Sequence, residues 1–285
     1  MAQIPRALIN DYTKGINGLS EGMRAQLAEA LEQVDFSDLE QARTIVLDLM
    51  QTYCSGAADA AATLAARFYE NARAYSFGSA SYSALVDSGR KAEATERAVS
   101  SFFEAKTATK ANIVEKLLER MDFEIKRAAG DCVFENGRRD GHQPTYARVP
   151  SGSETCNFCL MLASRGFVYT TKLAAGSLNH YHANCDCRIV PAWKEKSVQG
   201  YDPDALYKQW DENMDEEAKR RAELHGTTTE AERSKMMKQL EKGASKAKGR
   251  RALDQTGGVV SLAARAGKSQ KSNALAQAIE RLAKK

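Results

Sequence analysis

Apolar residues recur at every fourth position in two stretches of the first 130 residues, as they do along the buried face of a helix. The first stretch comprises Leu19, Met23, Leu27 and Leu31. The second comprises Ile113, Leu117, Met121 and Ile125. This spacing predicts two amphipathic helices, and the second spans about residues 109–129 and ends at Gly130, because glycine favours helix ends.

The sequence between these two stretches predicts three further helices. Ser37 and Glu40 have the spacing of a capping box, so we expect a helix to begin there and to bury part of an apolar set. This set comprises Leu39, Ala42, Ile45, Val46 and Leu49. An alanine-rich stretch at residues 57–75 is typical of a closely packed central helix, and another helix is expected at about residues 90–105. Residues 1–130 are therefore predicted to form an N-terminal helical bundle.

The pattern changes between residues 131 and 195, where glycine and proline interrupt the helical spacing. A short helix is compatible with residues 156–164, and residues 165–169 indicate a turn into a short strand. A second strand is predicted at residues 188–191, directly after a Cys-x-Cys sequence. We predict a small irregular α+β module, called the Cys/His module, of a size that usually needs a metal ion or disulfide bonds to fold.

Two charged segments follow the Cys/His module. Residues 196–225 predict one charged helix, in which Asp202 caps the start and Pro203 occupies the first helical position. Residues 226–285 are polar and basic, and we expect a partly disordered tail with one short amphipathic helix at about residues 272–284. The chain as a whole is therefore predicted to be mainly α.

Composition narrows the class of protein. Hydrophobic residues make up 43% of the 285, which is enough for a substantial core, but no apolar run approaches the length of a bilayer span. We therefore expect no membrane association. The first residues lack the pattern of a signal peptide, so we expect synthesis in a cytoplasm.

Positive charge is concentrated in the tail. Residues 226–285 contain 14 Lys and Arg against 5 Asp and Glu, whereas the whole chain has a net charge of only +4. A basic tail on a mildly acidic body indicates contact with an anionic partner, such as DNA or an acidic protein face. A solvated tail without a partner is the alternative, because no aromatic residues are interleaved among the basic ones.

Four of the six cysteines form two tight pairs, Cys156-x-x-Cys159 and Cys185-x-Cys187, and His182 precedes the second pair. Thiolate and imidazole donors at such spacing are typical of a structural zinc site, which takes four ligands in a tetrahedron. The four cysteines and His182 offer five donors, one more than the four ligand positions of a zinc ion. We favour Cys156, Cys159, His182 and Cys185 as zinc ligands, with Cys187 as the nearest competitor.

The cysteines have a second interpretation without metal. The paired thiols could be buried and free, or could form cross-links after the protein leaves the cell. The remaining two cysteines, Cys54 and Cys132, stand alone in helical surroundings and are predicted to be small hydrophobic residues of the core.

Catalysis is a weaker interpretation of the same residues. His180 and His182 lie near Asp186 in the sequence, as donors do in some metal-dependent hydrolases, but the surrounding cysteines favour a closed structural site without room for a reacting water. A cysteine nucleophile with His182 as its base is disfavoured by the crowd of competing donors. No glycine-rich nucleotide-binding loop is present. We therefore predict a protein that is not an enzyme and has no catalytic residues.

The order of these motifs resembles that of a known family, the MuF-like minor head proteins of tailed phages. The matching segments are Arg148-Val149-Pro150, Cys156-x-x-Cys159, Ala163-Ser164-Arg165-Gly166-x-Val168-Tyr169, His182-x-x-Cys185-x-Cys187 and Val190-Pro191. Upstream, Gly22-Met23-Arg24 and Arg67-Phe68-Tyr69 are similar to the N-terminal region of the version found in phages of actinobacterial hosts. The resemblance covers roughly the first two-thirds of the chain, and the basic tail has no counterpart in it.

The resemblance implies a minor capsid protein that takes part in head assembly within the virion. Its expected partners are the portal protein, the major capsid protein or a scaffold protein, and its expected location is the head interior or the portal vertex. In this interpretation the zinc ion holds the Cys/His module together, and the helical bundle supplies the surfaces for contact with other head proteins. A nucleic-acid-binding protein that uses the basic tail is the alternative.

Overall fold

A computed structural model of the chain describes residues 3–78, 82–106, 108–152, 155–170, 186–194 and 196–246. These residues are mainly α, as predicted, and they divide into two compact units. The helical unit comprises the described residues of Pro5–Gln143. The cysteine unit comprises residues 3–4, 144–152, 155–170, 186–194 and 196–246. Among the described residues, no helix combines the length and the hydrophobicity needed to cross a lipid bilayer.

The helical unit consists of α1 (Arg6–Glu32), α2 (Leu39–Phe77), α3 (Ala92–Phe103) and α4 (Lys110–Arg139). The central helix is α2, which contacts the other three, while α1 and α3 also contact α4. Most of the two predicted apolar stripes is at most 1% exposed, namely Leu27, Leu31, Ile113, Leu117, Met121 and Ile125. The predicted N-terminal helical bundle is confirmed.

The two helices predicted over residues 39–49 and 57–75 are one continuous helix of 39 residues, α2. Gly56 lies inside it, at a cost of about 1 kcal/mol relative to alanine. Five alanines on its buried side are 0% exposed, namely Ala57, Ala58, Ala61, Ala62 and Ala65. Their small side chains allow the neighbouring helices to approach closely, and this packing outweighs the local cost of the glycine.

The N-terminus of α2 is capped by Asp38 rather than by Ser37. The Asp38 Oδ1 atom accepts hydrogen bonds from the main-chain amides of Glu40 at 3.0 Å and Gln41 at 3.1 Å. The amide of Ser37 donates instead to Asp35 Oδ1 at 2.8 Å. The predicted capping box is therefore wrong by one residue, because aspartate is an equally good cap and lies directly before the helix.

Helix α4 does not end at Gly130 but continues to Arg139. Gly130, Cys132 and Asn136 are all buried on this extension. The Cys132 Sγ atom donates a hydrogen bond to the carbonyl of Ala62 on α2 at 3.3 Å, so the extension packs on the central helix. The predicted helix end is wrong because burial of the following turns outweighs the weak local preference of glycine.

The isolated cysteines lie in the core of the helical unit, as predicted. Both are buried and outside any disulfide bond. Burial raises the pKa of the Cys54 thiol to about 12 and raises the pKa of the Cys132 thiol above its ordinary value. A thiol that stays protonated is unreactive, so these two residues act as small apolar side chains.

The cysteine unit contains two short strands and a short helix, β1 (Thr145–Pro150), α5 (Asn157–Ala163) and β2 (Cys187–Ala192). The strands pair antiparallel, and the main chains of Tyr146 and Tyr169 form a further bridge beside them. The predicted short helix, the strand after the Cys-x-Cys sequence and the turn into Tyr169 are confirmed. Strand β1 was not predicted, because its four central residues are all buried and show no alternation of polar and apolar positions.

Two charged helices complete the cysteine unit, α6 (Pro203–His225) and α7 (Thr229–Lys246). Asp202 caps α6 as predicted, and Gly226 ends it in the left-handed conformation with φ of 62°. Helix α7 contacts α6, and Arg233 pairs with Asp211 at 2.5 Å and also with Asp215. The first part of the predicted tail is therefore a helix, which the sequence analysis missed. The amphipathic helix predicted at about residues 272–284 lies outside the described residues.

Candidate metal centre

Helix α5 carries the Cys-x-x-Cys sequence at its N-terminus. Cys156 precedes the helix as its cap, and its Sγ atom accepts a hydrogen bond from the main-chain amide of Cys159 at 3.4 Å. Cys156 is exposed, whereas Cys159 is 0% exposed. One thiol of the Cys-x-x-Cys sequence therefore lies at the surface, and the other lies in the core of the cysteine unit.

Two tyrosine hydroxyls fix the other end of α5. Tyr169 donates a hydrogen bond to the carbonyl of Leu162 at 2.7 Å, and Tyr201 donates one to the carbonyl of Ala163. Both carbonyls belong to the last turn, where carbonyls lack partners within the helix. Burial raises the pKa of Tyr169, which keeps its hydroxyl protonated as a donor. Because the main chain of Tyr169 also pairs with β1, this hydroxyl joins α5 to the strands.

The two cysteine motifs meet between α5 and β2. Cys187 is the first residue of β2, and its Sγ atom lies 3.3 Å from that of Cys159. Both side chains are 0% exposed. The two cysteines are 28 positions apart along the chain, so their contact joins segments that are distant in the sequence.

A buried arginine contacts this pair of thiols. Arg148 lies on β1 and is 0% exposed, and its Nε and Nη2 atoms donate hydrogen bonds to Cys187 Sγ at 3.0 and 2.8 Å. A guanidinium that is removed from water is stable only when it is hydrogen-bonded to an acceptor, preferably an anionic one that neutralises its charge. Two donors converging on one sulfur therefore mark Cys187 as the partner of a buried positive charge.

Asp186 holds the loop after β1 against the site. Its Oδ2 atom accepts hydrogen bonds from the Thr155 hydroxyl at 2.7 Å and from the Gly152 amide at 3.3 Å. The hydroxyl of Ser151 donates to the main-chain carbonyl of Asp186. A Cβ atom at position 152 would lie 2.8 Å from Asp186 Cβ, so this approach requires glycine.

Three potential donors from these residues lie close together. The Sγ atoms of Cys159 and Cys187 and one carboxylate oxygen of Asp186 are all within 4.8 Å of one another. Tetrahedral zinc with bonds of about 2.3 Å to sulfur keeps two sulfurs roughly 3.8 Å apart. The observed 3.3 Å between the thiols would have to widen by only about 0.5 Å to accept such an ion. The donor set therefore fits zinc.

The structure brings together two of the five predicted donors, Cys159 and Cys187. Cys156 caps α5 and contacts the amide of Cys159, but it is not part of the group of close donors among the described residues. His182 and Cys185, like His180, lie outside the described residues. The complete ligand set therefore stays a prediction.

Arg148 was named within the family motif and Asp186 beside the histidines, but neither of them was assigned to the zinc site by the sequence analysis. Asp186 stands between the two cysteines of the Cys-x-Cys sequence, and this position was the available signal. Arg148 gave a weaker signal, because a single arginine in a short apolar stretch is usually at the surface. Its role depends on the pairing of β1 with β2, which spacing along the chain does not reveal.

Comparison with known proteins gives one family. The sequence model of the family described as VG15 protein matches residues 3–213, which include the helical unit, the thiol pair and the first part of α6. The Gene 15 protein of Mycobacterium phage L5 is 31% identical in a region that covers 25% of this chain and 37% of that protein. The chain thus spans little more than a third of this phage relative. No solved structure matches the chain.

Proposed function

Because this chain belongs to the VG15 protein family, a phage protein family, we propose that it is a minor structural protein of a tailed phage that acts in head assembly. The extent of the family match carries the proposal, since it spans the helical unit and most of the cysteine unit rather than one isolated motif. The proposed location is the head interior or the portal vertex. The proposed partners are the portal protein and the major capsid or scaffold protein.

The arrangement of the cysteine unit supports the minor head assignment. The residues through which this chain resembles MuF-like proteins include Arg148, Cys159 and Cys187, which come from three different elements and meet in one buried cluster. When the residues of a motif are far apart in the sequence but contact one another in the fold, their contacts stabilise that fold. This supports a structural role for the motif.

We further propose that this cluster binds a structural zinc ion. Cys159 and Cys187 would hold it, and the remaining places would be filled from Cys156, His182 and Cys185. When bound, the ion would cross-link α5 to β2 with bonds stronger than the contacts among these short elements. A buried pair of thiols favours a closed site over a catalytic one, which keeps a position open to water. We therefore assign no catalytic residue.

The assembly proposal is tested by coexpression of the full chain with the portal and major capsid proteins encoded in the same phage genome. The chain is expected to be retained on the purified portal or capsid protein and to be present in few copies in purified heads, as quantified by mass spectrometry. A chain that is absent from purified heads and retained by neither protein would overturn the proposal.

The zinc proposal is tested by elemental analysis of protein purified anaerobically without chelator. About one zinc per chain is expected. The variants Cys159→Ser and Cys187→Ser should lose it, and Cys54→Ala is a matched control because Cys54 is equally buried but lies in the helical unit. Wild-type protein without metal contradicts the zinc proposal and leaves the assembly proposal standing.

DNA contact through the tail is a second candidate function, favoured by the surface of α7. Lys235 and Lys238 are exposed on this helix, and the chain continues from it into the basic segment. Phosphate contacts make binding steeply dependent on salt. We expect duplex DNA to be shifted by the full chain in a gel at low salt and not by a chain truncated after residue 246. Equal shifts by both would exclude residues 247–285 as the DNA-binding segment.

A further inference from the structure

We propose that Asp186 is a third metal donor beside Cys159 and Cys187, and that Arg148 supplies the positive charge that this buried site needs. The proposal rests on the zinc site proposed above. Asp186 takes one of the two places left open there, and Arg148 supplies a counter-charge. One place then remains for Cys156, His182 or Cys185. A carboxylate oxygen of Asp186 lies within 4.8 Å of both Sγ atoms. It is therefore within reach of an ion whose bonds are about 2.3 Å to sulfur and 2.0–2.2 Å to a carboxylate oxygen.

Asp186 is held as a ligating carboxylate usually is. Metal-bound carboxylates are as a rule hydrogen-bonded by neighbours that fix their direction. Here the Thr155 hydroxyl and the Gly152 amide donate to one carboxylate oxygen, Oδ2, at 2.7 and 3.3 Å. The close approach of Gly152 fixes the main chain at the same point. The direction of the carboxylate is thus set by the protein before an ion binds.

The charges of the site favour the same assignment. Two thiolates and one carboxylate carry three negative charges, and a divalent ion offsets two of them. Arg148 offsets the third, since its guanidinium is 0% exposed and contacts Cys187 Sγ through two nitrogen atoms. The nearby Arg188 donates instead to the main-chain carbonyl of Cys187 at 3.4 Å. With zinc on the two thiolates and a neutral fourth donor, the buried charge of Arg148 therefore favours one more anionic donor, which Asp186 supplies.

The mixture of donors also selects the class of ion. Two sulfurs and a carboxylate oxygen suit a borderline divalent ion such as zinc, and they suit cobalt(II) as its spectroscopic substitute. Copper(I) prefers soft sulfur donors alone, so the oxygen donor disfavours it. Cobalt(II) can therefore be used to report on the ligands of the site.

The test compares two variants of the full chain after cobalt(II) loading. Asp186→Asn removes the charge but keeps an oxygen that can accept from Thr155 and Gly152. Thr155→Val removes one of those hydrogen bonds and keeps the charge. We expect Asp186→Asn to shift the visible ligand-field bands and to weaken cobalt affinity by more than about 100-fold, measured by competition with a chelator. Thr155→Val should leave the bands in place and weaken affinity by about 10-fold or less, as for the loss of a partner of a ligand.

Wild-type spectra and affinity in Asp186→Asn would overturn the assignment and leave Asp186 as a clamp for the loop. A wild-type chain that binds neither zinc nor cobalt would instead overturn the zinc site itself. X-ray absorption of the zinc-loaded wild-type chain gives a test that does not depend on the folding of any variant. It should show sulfur together with a shorter bond to a light atom that does not belong to an imidazole, which multiple scattering from the ring identifies. A shell of sulfur alone, or of sulfur with imidazole only, would overturn the assignment.

The role of Arg148 is tested by its charge. Arg148→Gln should weaken cobalt affinity about 10- to 100-fold. Arg148→Lys keeps the charge but loses the forked hydrogen bonds, so its loss should be smaller. Equal losses in both variants would assign Arg148 to hydrogen-bonding geometry alone, and an unchanged affinity in Arg148→Gln would show that its charge does not support the site. Circular dichroism of each variant confirms that the chain remains helical.

Discussion

The helical unit and the cysteine unit differ in the length of the elements that carry their buried polar groups. In the helical unit, helices of up to 39 residues carry buried carboxylates whose partners come from the same bundle, as Asp122 does with Ser20 and Lys126. In the cysteine unit, the polar cluster lies between elements of only six or seven residues. The first kind of stability is spread along many turns of helix. The second is concentrated in a few contacts around two thiols, so the two units should respond differently to the same perturbation.

Removal of the proposed zinc ion should separate the two units most strongly. Structural zinc contributes roughly 10–16 kcal/mol of binding free energy in small zinc domains, as much as the whole stability of an ordinary domain. Chelation should therefore abolish the protection of β2 amides against hydrogen exchange while α2 and α4 stay protected. Hydrogen exchange followed by mass spectrometry measures both, with chelator-treated Cys159→Ser as the control. Equal loss in both units, or loss in neither, would contradict the comparison.

The largest effect of a single substitution in the helical unit is expected at Asp140. Its carboxylate is 1% exposed and accepts hydrogen bonds from Arg73 Nε at 2.8 Å and from the Tyr69 hydroxyl at 3.0 Å. Asp140→Ala leaves a buried guanidinium without its anion and should lower the free energy of unfolding by about 3–5 kcal/mol. Urea unfolding, read by exchange in α2, measures the loss. Glu135→Ala is the control, because its pair with Arg138 is exposed and should contribute less than about 1 kcal/mol.

The same carboxylate should make the helical unit sensitive to acid. Burial alone would raise the pKa of Asp140, but hydrogen bonds from Arg73, the His142 amide and Tyr69 outweigh it and lower the pKa below the ordinary 3.8. The unfolded chain therefore takes up the proton first, and the stability that this group provides at neutral pH is lost as the pH falls through 3.8 and below. Thermal unfolding should show a shallower acid decline in Asp140→Asn. Parallel pH profiles for variant and wild type would refute this.

Much of the fold could be predicted because long helices repeat their signal many times. The stripe around Leu117 repeats the helical period and is buried, and the cap at Asp202 follows the local preference of aspartate for the start of a helix. The prediction was wrong where the two disagreed. Gly130 has a local preference to end a helix, but the following turns are buried against α2, and tertiary packing decided the outcome.

The candidate site could be predicted less completely, for a physical reason. Tight spacing within each cysteine pair predicted a site that includes Cys159, with Cys187 as a competing ligand, but spacing along the chain did not show that these two thiols contact each other. Arg148 and Asp186 join them only through the antiparallel register of β1 with β2 and the approach of Gly152. Such pairings between distant segments leave no periodic trace in the sequence. They became visible only in three dimensions.

Close packing in the helical unit should make it intolerant of added volume. Ala61 on α2 is 0% exposed, so Ala61→Leu inserts a side chain where no space exists and should cost about 1–3 kcal/mol. Gly56→Ala is the matched variant on the same helix, since a Cβ there meets nothing within 4 Å. It should stabilise the unit by about 0.5–1 kcal/mol. Urea unfolding of both variants measures the opposite signs, and equal signs would contradict dense packing on the alanine face.

The smallest effects test whether the units unfold separately. Asp38 and Asp202 cap α2 and α6 with the same geometry, because each Oδ1 accepts from two main-chain amides at 2.9–3.2 Å. Replacing either with alanine should cost about 0.5–2 kcal/mol. Hydrogen exchange should register the Asp38→Ala loss in the helical unit and the Asp202→Ala loss in the cysteine unit. Ser37→Ala should change neither, since Asp38 is the cap. If each cap variant weakens both units equally, the chain unfolds as one cooperative block, and the contrast between the units describes architecture but not stability.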